Sequence, residues 1–288
     1  MVKAVLRLIG AELFKLRKRK ITWILLVVLI GIIILINFLL LAIAEVNFPS
    51  EPHGRMQNLL GLPVTFPLTM SILSSFGSVL AVVFMASSMG SEFNWRTIRV
   101  AVVSSESRFK LLGAKLISAA IFILIGMVLG IVAGFLMSVV TTAIGGYKFD
   151  FSFAANTYLW DQFLQFWRTF YIVTPYMLLG FMFSIVGRSA MPGISLGIGI
   201  IFLEGVITAF MSLAGGWIAN IPDYLIAANV RTINSLSALP QDFQAGMGFG
   251  GVSADLPNVL HATITLAVYS SVFLFIAFYI FSKRDVTG

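Results

Sequence analysis

Cysteine is absent, histidine appears twice, and only 11% of the residues are charged. Each shortage excludes a class of chemistry. Without cysteine there is no disulfide framework, no thiolate metal site and no cysteine nucleophile. Two histidines leave little material for a metal centre, and no metal ligands are expected. A soluble domain carries about 25% charged residues, more than twice the proportion here. What fills the chain instead is apolar. Hydrophobic residues make up 59% of it and the mean hydropathy is +0.98, with apolar blocks long enough to cross a bilayer. The expected fold class is an all-α polytopic membrane protein.

Six spans are expected, at about 21–44, 66–90, 111–142, 166–187, 190–214 and 259–281. The first has no formal charge and, at about 1.5 Å per residue, makes roughly 36 Å of helix, enough to span with some tilt. Pro67 opens the second, where a first helical turn tolerates it, and Pro175 lies inside the fourth as an expected kink. The first span is too long for the apolar core of a cleavable signal, and Glu45-Val-Asn-Phe follows it instead of a small-residue cleavage site.

Orientation follows from lysine and arginine, because positively charged loops stay cytoplasmic. All but four of the 19 fall on one side: in residues 1–20, between spans two and three, at Arg188, and at Lys283–Arg284. Only Arg55, Lys148, Arg168 and Arg231 fall on the other. Both termini are expected in the cytoplasm. The net charge of +7 is accounted for by topology, and no nucleic-acid partner is expected.

Residues 2–20 read as an amphipathic elbow helix. Val5, Ile9, Leu13 and Leu16 cluster on one face, opposite Lys3, Arg7 and Lys15, and Phe14 breaks the pattern. Such a helix lies in the inner headgroup layer against membrane lipid, apolar side down; the plainer reading is a basic flank that only fixes orientation. In the segment 91–110, Trp95, Ile98 and Val102 share one helical face while Arg96 and Arg99 point elsewhere. That suits docking to a cytosolic partner, or equally a connector lying on headgroups. The outer segment 215–258 contains Ile221–Leu239, apolar enough to dip into the outer leaflet but too short and broken to span.

Catalytic signals are scarce. Gly246–Gly251 has glycines but no lysine with which to cap a phosphate. Gly193-Ile-Ser195-Leu-Gly197 matches a nucleophile elbow, yet its serine and either histidine belong to opposite sides of the membrane. Glu204 is the one formal charge well inside a span, where an ionisable group is costly and invites a functional reading: a substrate path, a dimer contact, or a carboxyl bonded to a neighbouring helix. Ser71, Ser74, Ser75 and Ser78 form a small polar face on span two, and Gly126, Gly130 and Gly134 a doubled G-x-x-x-G on span three. Both favour close helix packing; the hydroxyl face also suits the border of a translocation route.

Taken together, the chain resembles the membrane (permease) subunit of bacterial ATP-binding-cassette exporters of the ABC-2 type. Glu92, then Arg96-Thr97-Ile98-Arg99, Ser107-Arg108 and Lys115, is similar to that family's acidic-Gly-Thr…Ser-Arg…Lys stretch, and Phe281-Ser-Lys-Arg284-Asp285 looks like its closing aromatic…Arg-Asp. Arg96 stands where the family often has glycine, and Ser104-Ser105 where proline is common. The resemblance implies a single transmembrane domain with an elbow helix, six spans and a cytoplasmic coupling helix. It implies that Glu92, Trp95, Arg96, Ile98, Arg99 and Arg108 couple to a separate cytosolic ATPase, which binds the ATP and magnesium; this chain holds no cofactor and is not itself an enzyme. A second permease subunit, identical or related, is the expected membrane partner, and the cell membrane of a bacterium the expected location. The expected cargo is amphipathic: an antimicrobial peptide, a drug-like compound or a lipid-like molecule. The alternatives are an ATP-independent carrier or channel using Glu204, and a membrane scaffold or sensor.

Overall fold

The computed structural model describes residues 2–47, 65–94, 108–144, 156–214, 216–237 and 256–283. Among these, every regular element is helical. The order is α1 (Val2–Lys18), α2 (Lys20–Asn47), α3 (Thr65–Asn94), α4 (Arg108–Ile144), α5 (Asn156–Gly187) and α6 (Ala190–Ala214). A 3-10 helix (Gly216–Tyr224), α7 (Ile226–Asn234) and α8 (Val259–Lys283) follow. Six helices are long and apolar enough to cross a membrane, over Lys20–Ala42, Thr65–Phe93, Phe109–Ile144, Tyr158–Gly187, Ala190–Met211 and Val259–Lys283. This is the expected all-α, polytopic membrane architecture.

Two boundaries differ from the sequence reading. Asn156–Gln165 was expected in an outer loop but is the start of α5. Trp160 stacks on Phe163, and Phe163 meets Trp167 edge-on, with ring centroids 5.5 and 6.2 Å apart, so aromatic contacts at helical spacing carry the helix past Asp161 and Gln162. Ser91–Asn94 was expected to open the cytoplasmic loop; it is the last turn of α3. Trp95, Arg96, Ile98, Arg99 and the rest of 95–107 lie outside the described residues, as does the Gly246–Gly251 run. Arg108 opens α4.

α3 and α5 form the centre of the bundle. Over an apolar 18-residue stretch of each, 61% and 67% of residues are buried, against 22% in the corresponding stretch of each of the other four. Glycines explain the close approach. A Cβ on Gly180 of α5 would stand 2.6 Å from the Val82 carbonyl oxygen of α3, and one on Gly90 would stand 2.1 Å from the Ala190 backbone nitrogen of α6. Gly193 and Gly197, the two glycines of the apparent nucleophile elbow, pack against Ala86 and Val82. Ser195 between them is exposed and donates only to the Met191 carbonyl, at 2.9 Å. That motif is a packing stripe.

The G-x-x-x-G stripe of α4 divides. A Cβ on Gly134 would meet the Thr69 side chain at 2.1 Å, and one on Gly130 would meet Leu73 at 2.9 Å; at Gly126 nothing lies within 4 Å. Two of the three glycines therefore seat α4 on α3, and the third faces open space. α5 turns into α6 through Arg188 at φ 51°, a left-handed position at a helix end that usually takes glycine. The Ser189 N–H then donates back to the Ser184 carbonyl at 3.2 Å.

At Gly90 and Gly180 the opposing atoms are backbone, which has nowhere to go. Gly90→Ala and Gly180→Ala are each expected to cost about 1–3 kcal/mol, read as a lower melting temperature of the purified protein, whereas Gly126→Ala leaves it unchanged.

Candidate functional site

α1 is fixed to the spans by charge. Its face of Val5, Ile9, Glu12 and Leu16 turns toward α4, with Glu12 and Leu16 buried. The Ser118 hydroxyl of α4 donates to the Ile9 carbonyl of α1, at 3.2 Å. The apolar side of α1 thus rests largely on protein instead of lying wholly in headgroups. Phe14, which broke the sequence pattern, is on the outer face, 62% exposed, with the Lys18 ammonium 5.6 Å from its ring centre.

Between these elements lies a network of buried charge. Lys115, in the second turn of α4, is 1% exposed. Its ammonium donates to Glu12 Oε2 of α1 and to Glu92 Oε1 at the end of α3, both at 2.8 Å. Lys15 lies 2.6 Å from Glu12 Oε1 and 3.5 Å from Glu92 Oε1. Arg19, at the break between α1 and α2, is 3.8 Å from Glu92 and donates to the Ser88 carbonyl at 2.8 Å. Two carboxylates and three cations from three helices therefore share one site. Such a cluster stands only when each charge is compensated, because breaking a buried pair costs about 3–5 kcal/mol. Burial alone pushes the Glu12 carboxyl up; Lys115 and Lys15 outweigh that and hold it below its ordinary value of 4.5.

Of the expected coupling residues, Glu92 is thus not a surface contact on a loop. It is 2% exposed and binds the start of α4 to the end of α3. The side chains of the other five are not described.

At the far end of the bundle, Glu204 of α6 holds a second short helix. Its two carboxylate oxygens accept the backbone N–H groups of Ile226 (3.2 Å) and Ala227 (3.1 Å), the first residues of α7. These donors are left unpaired by any helix start, and the positive end of the helix dipole favours a carboxylate there. The nearby carbonyls are also answered. Asn229 donates to Asp223 and Leu225 at 2.8 and 2.7 Å, Tyr269 donates to Tyr224 at 3.0 Å, and His261 Nε2 lies 3.1 Å from the Asp223 carbonyl. At the other end of α7, Asn234 donates to Ser74 Oγ of α3 at 2.9 Å. Glu204 and Ser74 lie roughly 14–15 Å inside the far ends of their helices at 1.5 Å per residue. α7 is therefore packed beside the spans at that level, within the Ile221–Leu239 stretch that was expected to dip into the outer leaflet. Irregular backbone survives at that depth only when protein satisfies it.

The serine face is partly consumed by this arrangement. Ser74 and Ser78 are buried and donate to the Ser71 and Ser74 carbonyls; Ser71 and Ser75 stay half-buried. Of the three readings open for Glu204, the contacts are those of a carboxyl bonded to a neighbouring helix. The sequence reading passed over Glu12, and named Lys115 only as the closing lysine of the family-like stretch. The available signal was the single acid in a basic helix, and a lysine set among Leu111, Leu112 and Ala114 at the base of an apolar run.

Lys115→Met removes the buried ammonium that Glu12 and Glu92 share and leaves them only Lys15 and Arg19, so a loss of up to about 3–5 kcal/mol is expected as a lower melting temperature, with Lys115→Arg falling less. Because the folded Glu12 pKa is depressed, its contribution is full above the unfolded value of 4.5 and disappears as pH falls below it. A pH series of melting temperatures should show the wild type losing stability below that point and Glu12→Gln losing less. For the far end, Glu204→Leu leaves two N–H groups unpaired at membrane depth and should release α7. In this cysteine-free background, a cysteine placed at buried Ile233 should react with maleimide faster in Glu204→Leu than in an otherwise native chain, with Glu204→Gln between them.

A relative from Bacillus subtilis (strain 168), described as the uncharacterized protein YhcI, is 25% identical over 257 residues, which cover 85% of this chain and 73% of the relative. A family model described as a protein of unknown function, DUF2705, matches residues 24–287, from the start of the first span to beyond the last. The chain belongs to that family.

Proposed function

We propose that this chain is the membrane subunit of an ABC-2 type exporter, pairing with a second permease subunit and driven by a separate cytosolic ATPase. The observation that carries the reading is the Lys115 junction. The segment 95–107, proposed to dock the ATPase, leaves α3 just after Glu92 and enters α4 shortly before Lys115; Lys115 is bonded to Glu12 of α1, and Glu92 to Lys115 and to Lys15 of α1. A push on that segment is delivered to three helices at once. Force applied by an ATPase closing on nucleotide therefore moves the ends of α3 and α4 together with the elbow helix, instead of bending a loose loop. ATP and magnesium belong to the partner; this chain supplies the route.

Orientation comes from the positive-inside rule: the α1 end is cytoplasmic, both termini are inside, and the membrane is that of a bacterial cell. The other end, where α7 dips in beside the half-buried Ser71 and Ser75, is then the outer face. An amphipathic cargo fits a route bordered by hydroxyls on one helix and apolar side chains elsewhere. A carrier that protonates Glu204 is the weaker reading, since both oxygens of that carboxyl are already engaged as the cap of α7.

The test is to recover the tagged chain from its native cells in mild detergent and assay the eluate for ATP hydrolysis. A stoichiometric ATPase partner is expected, lost when 95–107 is scrambled in a chain that keeps its melting temperature. An eluate with no such partner, together with transport that follows an ion gradient and ignores ATP, would overturn the proposal.

A further inference from the structure

An apolar cleft of about 130 Å³ opens between α2, α3 and α4, running from the first turns of α2 to the middle of α3 and α4, with Val173 of α5 behind it. Pockets that enclose whole drug-sized ligands run from about 300 Å³ upward, so this volume suits a few methylenes of a linear chain. Seventeen residues line it, and apart from Thr22 and the Trp23 indole N–H their side chains are apolar. That indole N–H already donates to the Arg17 carbonyl, at 2.8 Å. Two glycines make the room. A Cβ on Gly126 would meet nothing within 4 Å, and one on Gly77 would meet only Leu73 of its own helix, at 4.0 Å.

Basic residues flank the α2 end of the cleft. Thr22 and Trp23 belong to the first turn of α2, directly after the break at Arg19. The bond from Trp23 to Arg17, and that from the Thr22 hydroxyl to the Leu16 carbonyl at 2.8 Å, fold the end of α1 against this turn. Arg17, Lys18 and Lys20 are all exposed there. Arg17 and Lys20 take part in no ion pair among the described residues. Apolar depth with a cationic rim is complementary to one kind of molecule in a membrane: a phospholipid with an anionic headgroup. An acyl chain entering beside Trp23 lies against the glycine floor, while its phosphate sits among Arg17, Lys18 and Lys20.

We infer that the cleft between α2, α3 and α4 is a binding site for one acyl chain of an anionic phospholipid, whose headgroup is held by Arg17, Lys18 and Lys20. The site does not depend on the transport reading. It makes the lipid a wedge between the first span and the two helices that carry Glu92 and Lys115.

The experiment is native mass spectrometry of the full chain titrated with phosphatidylglycerol and with phosphatidylcholine of the same acyl chains. Phosphatidylglycerol is expected to bind saturably and in preference. Gly126→Leu grows a side chain from a position whose Cβ would meet nothing within 4 Å, so it should weaken phosphatidylglycerol by about tenfold, the loss of about two buried methylenes, at an unchanged melting temperature. Gly77→Leu serves as the second filler should Gly126→Leu not fold. Arg17→Gln with Lys20→Gln should erase the preference for phosphatidylglycerol and keep the weaker binding common to both lipids. Equal binding of the two lipids by the wild type would overturn the inference, as would native affinity in both glycine variants. A change of oligomeric state in Gly126→Leu with lipid binding intact would assign the cleft to a second copy of the chain and overturn it equally.

Discussion

A lysine ammonium closed off from water must be answered by negative charge, and Lys115 is answered from two directions. Glu12 reaches it from the N-terminal helix and Glu92 from the end of α3. Once that ammonium is buried, the positions of α1, α3 and α4 stop being independent. α1 cannot leave without stranding a carboxylate and an ammonium, and neither α3 nor α4 can shift its end without lengthening a 2.8 Å contact. Lys15 and Arg19 extend the network to the turn into α2. An apolar face alone would let α1 slide along lipid; the charges give it one register.

The opposite half of the bundle uses the same economy of means with different chemistry. There the buried acid is Glu204, and its partners are the two backbone N–H groups that start α7. In each half, one short helix is held onto the spans by a carboxylate that would be too costly to leave alone in an apolar setting. α3 takes part in both, through Glu92 at one end and Ser74 nearer the other. It is the most buried helix together with α5, and it touches both the α1 network and α7. The glycine contacts at Gly90 and Gly180 make that element stiff, because backbone meets backbone with no side chain between.

The spans were legible because a membrane imposes a length and an apolar composition that composition alone reveals. The amphipathic character of α1 was legible from Val5, Ile9, Leu13 and Leu16, and so was the presence of a short helix within Ile221–Leu239. What periodicity could not supply was the partner of each face. Glu12 and Lys115 are separated by 103 residues, and each taken singly looks like part of a basic flank. Glu204 stood out as an intramembrane charge, but its partners are backbone atoms of residues that follow in a segment with no residue-type signature. Gly193 and Gly197 misled in the other direction, since a G-x-S-x-G pattern and a packing stripe use the same letters.

The claim at the centre of this account is that Glu92 and Lys115 are coupled energetically and join α3 to α4 with α1 in place. A double-mutant cycle tests it most directly, with melting measured for Glu92→Gln, Lys115→Met and the two combined. Coupled residues are expected to be non-additive by about 0.5–3 kcal/mol, with the double variant less destabilised than the sum of the single ones, because the 2.8 Å contact between the two can be lost only once. Strict additivity would contradict the junction and remove the support it lends to force transmission through α1.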